Sequence, residues 1–302
     1  MMKNIINEIK KNKIGDFLEN ILMSKYTTYH VGGEASLIVC PDNASKLIKL
    51  IEILRENNIK YKVIGNGSNV VFSDKKYDGV IIKLDSLNQL TIDDTVVTVG
   101  AGYNLMKLAY KLSKMGLSGL EFATGIPGSV GGAVFMNAGA YKSDMGYITS
   151  SIKVITKDLE IKKIYNKDLN FHYRDSLLQH NLDYICIEAN LVLKHALTKD
   201  ILALIEDRKQ KRLLNQPLEF PSAGSVFRNP PNDFAGRLIE ESGLKGFQMG
   251  GALVSPKHAN FIVNYDQATA DNIRSLIMHV KKEVKKQHGV DLFVEQEFVN
   301  WE

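Results

Sequence analysis

Short apolar strands and amphipathic helices alternate in both halves of the chain, which predicts a layered α/β or α+β protein. Two further observations predict two domains. The chain has 302 residues, against roughly 150 residues for a typical domain. Its composition also changes near residue 196, where a charged helical pattern begins. The expected division is 1–195 and 196–302.

Met1 to Met23 mixes Ile and Leu with Lys, Glu and Asn at helical spacing, so an N-terminal helix is expected before the Gly32-Gly33 loop. Asn43 to Asn57 reads as an amphipathic helix. Short β-like runs follow at Tyr61 to Ile64, Val70 to Ser73, Gly79 to Leu84 and Val96 to Gly100. Asn104 to Met115 is helical, with apolar residues at 105, 106, 108, 109 and 112. A glycine-dense block occupies Gly119 to Tyr141, and strands are expected at Ser151 to Thr156 and Tyr184 to Lys194. In the second half, Lys199 to Leu214 is a charged helix ending before Pro217, and Pro217 to Pro231 is turn-rich. Phe234 to Ser242 reads as helix, Asn260 to Asn264 as strand, and Asp271 to Gln287 as a long helix closed by Gly289. A final strand is expected from Val290 to Val299.

Composition narrows the function. Hydrophobic residues make up 44% and charged residues 24%, as in globular proteins with a real core. Net charge is +4 and the pI is about 8.8. The lysines are spread along the chain, so no nucleic-acid groove is required, and a mild positive excess suits an anionic small molecule. Cys40 and Cys186 lie in apolar stretches without C-x-x-C spacing. They read as buried thiols in a reducing compartment, with neither a disulfide framework nor a metal site. No run approaches the ~18–20 apolar residues of a membrane span, and the N-terminus lacks the pattern of a signal peptide. A cytoplasmic protein without membrane insertion is expected.

Two glycine-rich blocks carry chemistry. In Ile64-Gly65-Asn66-Gly67-Ser68-Asn69-Val70, glycines let backbone N–H groups converge on an anion, and Ser and Asn add donors. Val70 stands where a dinucleotide fingerprint needs its third glycine, and a strand-like run follows in place of a helix. A Rossmann site is therefore not indicated; a hairpin turn between two strands is the alternative. The second block, from Gly125 through Ile126, Pro127, Gly128, Ser129, Gly131 and Gly132 to Tyr141, has five glycines in its first fifteen residues. Such a backbone comes close to something flat or phosphorylated. A tight helix–sheet crossing is the alternative.

These blocks, "IGNGSNVVFSD" and "GIPGSVGGAVFMNAGAY", are preceded by "YTTYHVGG" and followed by "FHYRDS", "PSAGSVFRNP", "AGRLIEESGLKG" and "VSPKHANFIVN". In that order they resemble the UDP-N-acetylenolpyruvoylglucosamine reductase family of peptidoglycan precursor synthesis, from about Tyr26 to Phe298. The resemblance implies an α+β chain with a two-part, non-Rossmann FAD-binding domain of the vanillyl-alcohol-oxidase type, followed by a smaller substrate-binding domain. It implies FAD, NADPH as co-substrate and a UDP-sugar enolpyruvyl ether as substrate. The two anion-suited glycine loops and the lack of a clear attaching residue predict that the FAD is non-covalent, and a monomer is expected. The interval between Tyr141 and Phe171 is short, as in the family's second type.

The same resemblance distributes the roles. Arg174 matches the catalytic arginine, and Ser225 the serine that donates a proton to carbon. Glu295 matches the catalytic glutamate, with Glu297 the competitor because residues two apart on a strand share a face. At this point the chain departs from the pattern: Gln296 replaces the usual apolar residue. Phe293 is expected on the face of Glu295, where it would help desolvate the carboxyl. FAD is expected to contact 65–69 and 125–132. Asn229 completes the serine's motif and is expected at the substrate; Tyr173, Arg212, Lys257 and Asn260 are further substrate-side candidates, each with a solvated or loop-stabilising alternative. His30 stands where the family usually carries Arg or Lys. The competing readings are another flavin oxidoreductase on the same fold and a nucleotide-binding regulatory module.

Overall fold

The computed structural model describes residues 2–301. The chain divides into two compact units. One holds the residues through Glu19, Ser36–Asn66 and Gly79–Gln210; the other holds Asn20–Ala35, Gly67–Asp78 and the chain from Lys211 onward. The units thus interleave along the sequence, whereas one cut near residue 195 was expected. That position lies inside the last segment of the first unit.

The N-terminal helix is shorter than its periodicity predicts. It spans Met2–Lys11 and buries Ile5, Ile6 and Ile9. Lys13 then takes a left-handed conformation (φ 49°), and Gly15 adopts φ +148°, where a Cβ would lie 2.1 Å from the Cys40 carbonyl oxygen. The chain turns there into a strand, Gly15–Leu22. A four-stranded sheet runs in the order Gly15–Leu22, Glu34–Pro41, Tyr77–Lys83, Tyr61–Ile64, and its last pair is parallel.

A five-stranded antiparallel sheet has the order Ile161–Tyr165, Thr149–Ile155, Ile185–Val192, Val96–Gly100, Leu90–Asp93. Helices Ala44–Glu56 and Leu105–Lys114 begin where expected, because Asn43 and Asn104 accept the N–H of Lys46 and Lys107, respectively. Both turn their apolar stripes into the core that contains Leu47, Leu50, Val97, Val99, Leu108 and Ile152. Cys186 is buried as expected, but Cys40 is only partly so.

In the second unit, a small antiparallel sheet of Gln248–Met249, Ala252–Val254 and Ile262–Asn264 packs with helix Ala270–His288. A Thr269/Asn272 capping box starts that helix, and Gly289 at φ 72° ends it. The Asp74 carboxylate accepts the Ala270 and Asp271 N–H groups, both at 3.1 Å, which suits the positive end of the helix dipole. Tyr29, Val71, Phe227, Ile239, Leu276 and Ile277 belong to its core.

The expected terminal strand contracts to Glu297–Val299, which pairs in parallel with Val70–Phe72. Residues 290–296 are irregular except for a single bridge between Val294 and Phe227. The cause is a change of partner: the Glu295 N–H donates to Val226, and the Glu297 N–H to Asn69. The first glycine block is likewise no hairpin, since Tyr61–Ile64 and Val70–Phe72 belong to different sheets.

Candidate active site

In the first unit the two glycine blocks touch. A Cβ at Gly65 would stand 2.5 Å from the Ser129 hydroxyl oxygen, so only glycine admits this approach. The buried Lys83 donates to the Gly65 carbonyl at 3.0 Å. Among the described residues, the N–H group of Asn66 has no acceptor, and neither do those of Gly67 and Ser68, which open a segment of the second unit. Unpaired amides in a glycine loop fit an anionic group such as a flavin nucleotide's diphosphate.

The second block is partly structural. Ser129 caps a short helix, Val130–Phe135, that was not expected, and its hydroxyl accepts the Gly132 N–H at 3.3 Å. Gly131 donates to the Ala101 carbonyl at 2.8 Å, and a Cβ there would press on the Ala101 side chain at 2.8 Å. The close-crossing alternative therefore accounts for Gly131. The turn ahead of the helix, Gly125 to Gly128, is stitched by Ile126 donating to Ala123 and Gly128 donating to Ile126.

Arg174 and Tyr173 also belong to this unit. Arg174 has φ 56°, and its guanidinium donates to the Gly139 carbonyl at 2.6 Å while lying 5.2 Å from the Tyr173 ring. Its neighbour Asp175 accepts from the His180 ring at 3.0 Å and from the Ser176 N–H. Asp175 thus forms an ion pair with His180 on the exposed side of this segment.

The second unit brings Ser225 and Glu295 onto adjacent segments. Glu295 donates its N–H to the Val226 carbonyl at 2.8 Å, and Arg228 donates its N–H to Phe293 at 3.0 Å. Asn69, expected at FAD, uses its side-chain amide to hold the Glu295 carbonyl at 3.2 Å. Phe293 is 60% exposed with the Arg228 guanidinium 4.6 Å from its ring, so it is not the desolvating wall expected for Glu295.

The other candidates are tied into the framework. Asn229 accepts the Ala235 N–H at 3.1 Å, at the start of helix Ala235–Glu241. Asn260 is buried and spends its amide on the Phe227 backbone. Lys257 donates to the Leu213 carbonyl at 2.7 Å and faces Glu219 at 3.7 Å. Arg212 lies near the end of helix Thr198–Asn215, and its carbonyl accepts the Gln216 N–H.

Sequence reasoning missed one group. Gln296 is buried, accepts from the Tyr29 hydroxyl at 3.1 Å, and donates to the carbonyls of Ala223 at 3.2 Å and Gly224 at 3.4 Å. Burial pushes the Tyr29 hydroxyl well above the usual tyrosine range. The signal was present as a polar residue interrupting an apolar pattern.

This fold and its glycine loops define an FAD-binding protein: residues 35–164 match the family model described as FAD binding domain. Residues 216–299 match UDP-N-acetylenolpyruvoylglucosamine reductase, C-terminal domain. The chain belongs to the UDP-N-acetylenolpyruvoylglucosamine reductase family. It is 46% identical over 299 residues to the reductase of Anoxybacillus flavithermus and 42% identical to that of Bacillus subtilis, with 99% of both chains covered in each case. The crystal structure of the reductase from Thermus caldophilus superposes with a TM-score of 0.80 at 35% identity, covering 93% of this chain and 98% of that one. A glucooligosaccharide oxidase from Acremonium strictum shares the fold at a TM-score of 0.51 and 13% identity, over 97% of this chain and 60% of that one.

Proposed function

We propose that the chain reduces the enolpyruvyl group of UDP-N-acetylglucosamine enolpyruvate to UDP-N-acetylmuramate, using NADPH and non-covalent FAD. It works in the cytoplasm as a monomer, with a small-molecule substrate and no nucleic-acid partner; no helix among the described residues is long and apolar enough to cross a membrane. The observation that carries the assignment of roles is the pairing of the Ser225 and Glu295 segments through Val226.

When bound, FAD would supply the hydride chemistry between NADPH and the terminal methylene carbon of the enolpyruvyl group. The amides of Asn66, Gly67 and Ser68 and the 125–132 turn would hold the cofactor. The Arg174 guanidinium, fixed by Gly139, grips the substrate carboxylate, where negative charge grows as the enolate forms. Ser225 gives its hydroxyl proton to the adjacent carbon, and the alkoxide left behind regains a proton from solvent before the next turnover. Glu295, in its neutral carboxylic acid form, donates a hydrogen bond to the developing charge, and its place on the segment paired with Val226 favours it over Glu297, whose N–H is bound to Asn69. Tyr173 borders the substrate, and Asn229, Arg212 and Lys257 sit on its polar side.

An anaerobic titration tests this reading. The holoenzyme's yellow colour should bleach with NADPH and return on addition of the enolpyruvyl substrate. Bleaching without substrate-driven recovery would instead indicate another flavin oxidoreductase.

A further inference from the structure

Gln296 joins two segments that the mechanism needs. Its backbone follows Glu295, while its side chain reaches the two carbonyls just before Ser225. Carbonyl oxygens only accept hydrogen bonds, so the Gln296 nitrogen must face them and its oxygen must face Tyr29. The Tyr29 hydroxyl donates to that oxygen at 3.1 Å, which locks the amide against rotation. Gln296 is 3% exposed and Tyr29 0%, so water cannot readily replace either partner. Gly224, which carries the second held carbonyl and immediately precedes Ser225, has φ +75°, a turn soft enough to need such restraint.

We propose that Gln296, oriented by Tyr29, is a positioning residue that fixes the Ser225 hydroxyl relative to Glu295 for the proton-delivering stage. The inference rests on the roles assigned above to Ser225 and Glu295. An apolar side chain at 296 fills the same volume but cannot hold the two carbonyls. The Ala223–Gly224 turn then gains freedom, and misplacing a reacting group by an ångström slows chemistry without weakening the fold in proportion.

The test uses holoenzymes of the wild type, Ser225→Ala, Tyr29→Phe, Gln296→Leu and the double variant, followed by stopped flow in both half-reactions and by thermal unfolding. Tyr29→Phe should leave flavin reduction by NADPH within about twofold and slow reoxidation by substrate about tenfold, the worth of one hydrogen bond. Gln296→Leu should slow reoxidation further and lower the unfolding temperature, since it also strands the Tyr29 hydroxyl. The double variant removes that stranded group; it should recover part of the unfolding temperature while reoxidation stays slow. Recovery of rate together with stability, or equal slowing of both half-reactions, would overturn the proposal by making the pair merely structural. If Gln296→Leu does not fold, Tyr29→Phe alone decides. A Ser225→Ala enzyme with normal reoxidation would overturn the underlying reading and this inference with it. Slow reoxidation in Ser225→Ala beside normal rates in Tyr29→Phe and Gln296→Leu would overturn the inference alone.

Discussion

Asn260 and Phe227 exchange two hydrogen bonds: the Phe227 N–H donates to the Asn260 side-chain oxygen at 2.9 Å, and the Asn260 amide nitrogen donates to the Phe227 carbonyl at 2.8 Å. Both residues are buried. The pair anchors the segment between Ser225 and Asn229 from its inner side. Asn260→Ala should therefore cost about 2–4 kcal/mol of stability, because it strands a buried donor and a buried acceptor. The denaturant midpoint measures it. An unchanged midpoint with a raised KM would assign Asn260 to the substrate.

Ser225→Ala should leave NADPH-driven flavin reduction nearly intact and slow reoxidation by substrate about 10²–10⁴-fold, the range of general acid catalysis. Only the second stage requires a proton delivered to carbon. Stopped flow on each half-reaction separates the two. Equal slowing would move the serine's role to cofactor placement.

Glu295→Gln should slow reoxidation far more than Glu297→Gln. The structure sharpens the reason: Glu295 is stitched to Val226 and Asn69, while Glu297 opens the parallel strand with Val70. Greater damage from Glu297→Gln in the same assay would shift the assignment by two residues.

The helices were legible because their ends and faces are written locally. Asn43, Asn104 and Gly289 stop or start helices through their own side-chain or backbone conformations, and the apolar spacing between them matches the buried face. Residues 290–296 were not, because their apolar pattern suits a strand while their hydrogen bonds go to Val226 and, beyond them, to Asn69. The N-terminal segment misled for a related reason: a positive φ at Lys13 and the tight approach of Gly15 to Cys40 are long-range facts that periodicity does not carry. At the site, Ser225 and Glu295 lie on segments that pair, and Asn260 follows its loop-stabilising alternative, but motif order does not carry the backbone bonds made by the Asn69 and Asn229 side chains.

FAD should come free on acid precipitation, since the cradle at 65–68 offers backbone amides and no attaching group. Flavin retained in the pellet, located by mass spectrometry of peptides, would make the exposed His30 the first residue to inspect.

Burial pushes the Cys186 thiol up to about 12, so its neutral form is favoured in the folded protein. This contribution to stability is complete below the ordinary thiol pKa and is lost as pH rises toward 12. At pH 8, iodoacetamide should leave Cys186 unmodified in the native protein and label it after unfolding. Peptide mass spectrometry reads the result; rapid native labelling would show that the strand Ile185–Val192 opens readily.

The interleaving of the two units has a consequence for synthesis. The Trp301 indole N–H donates to the Val71 carbonyl across 230 positions of sequence, and Tyr29 waits for Gln296 across 267. At ribosomal speeds of about 5–20 residues per second, these early segments emerge on the order of ten to fifty seconds before their partners. During that interval Val70–Phe72 is an apolar strand without its neighbour, the kind of edge that other chains can capture. The nascent chain therefore passes through a period in which this strand is open to capture before its partner has been made.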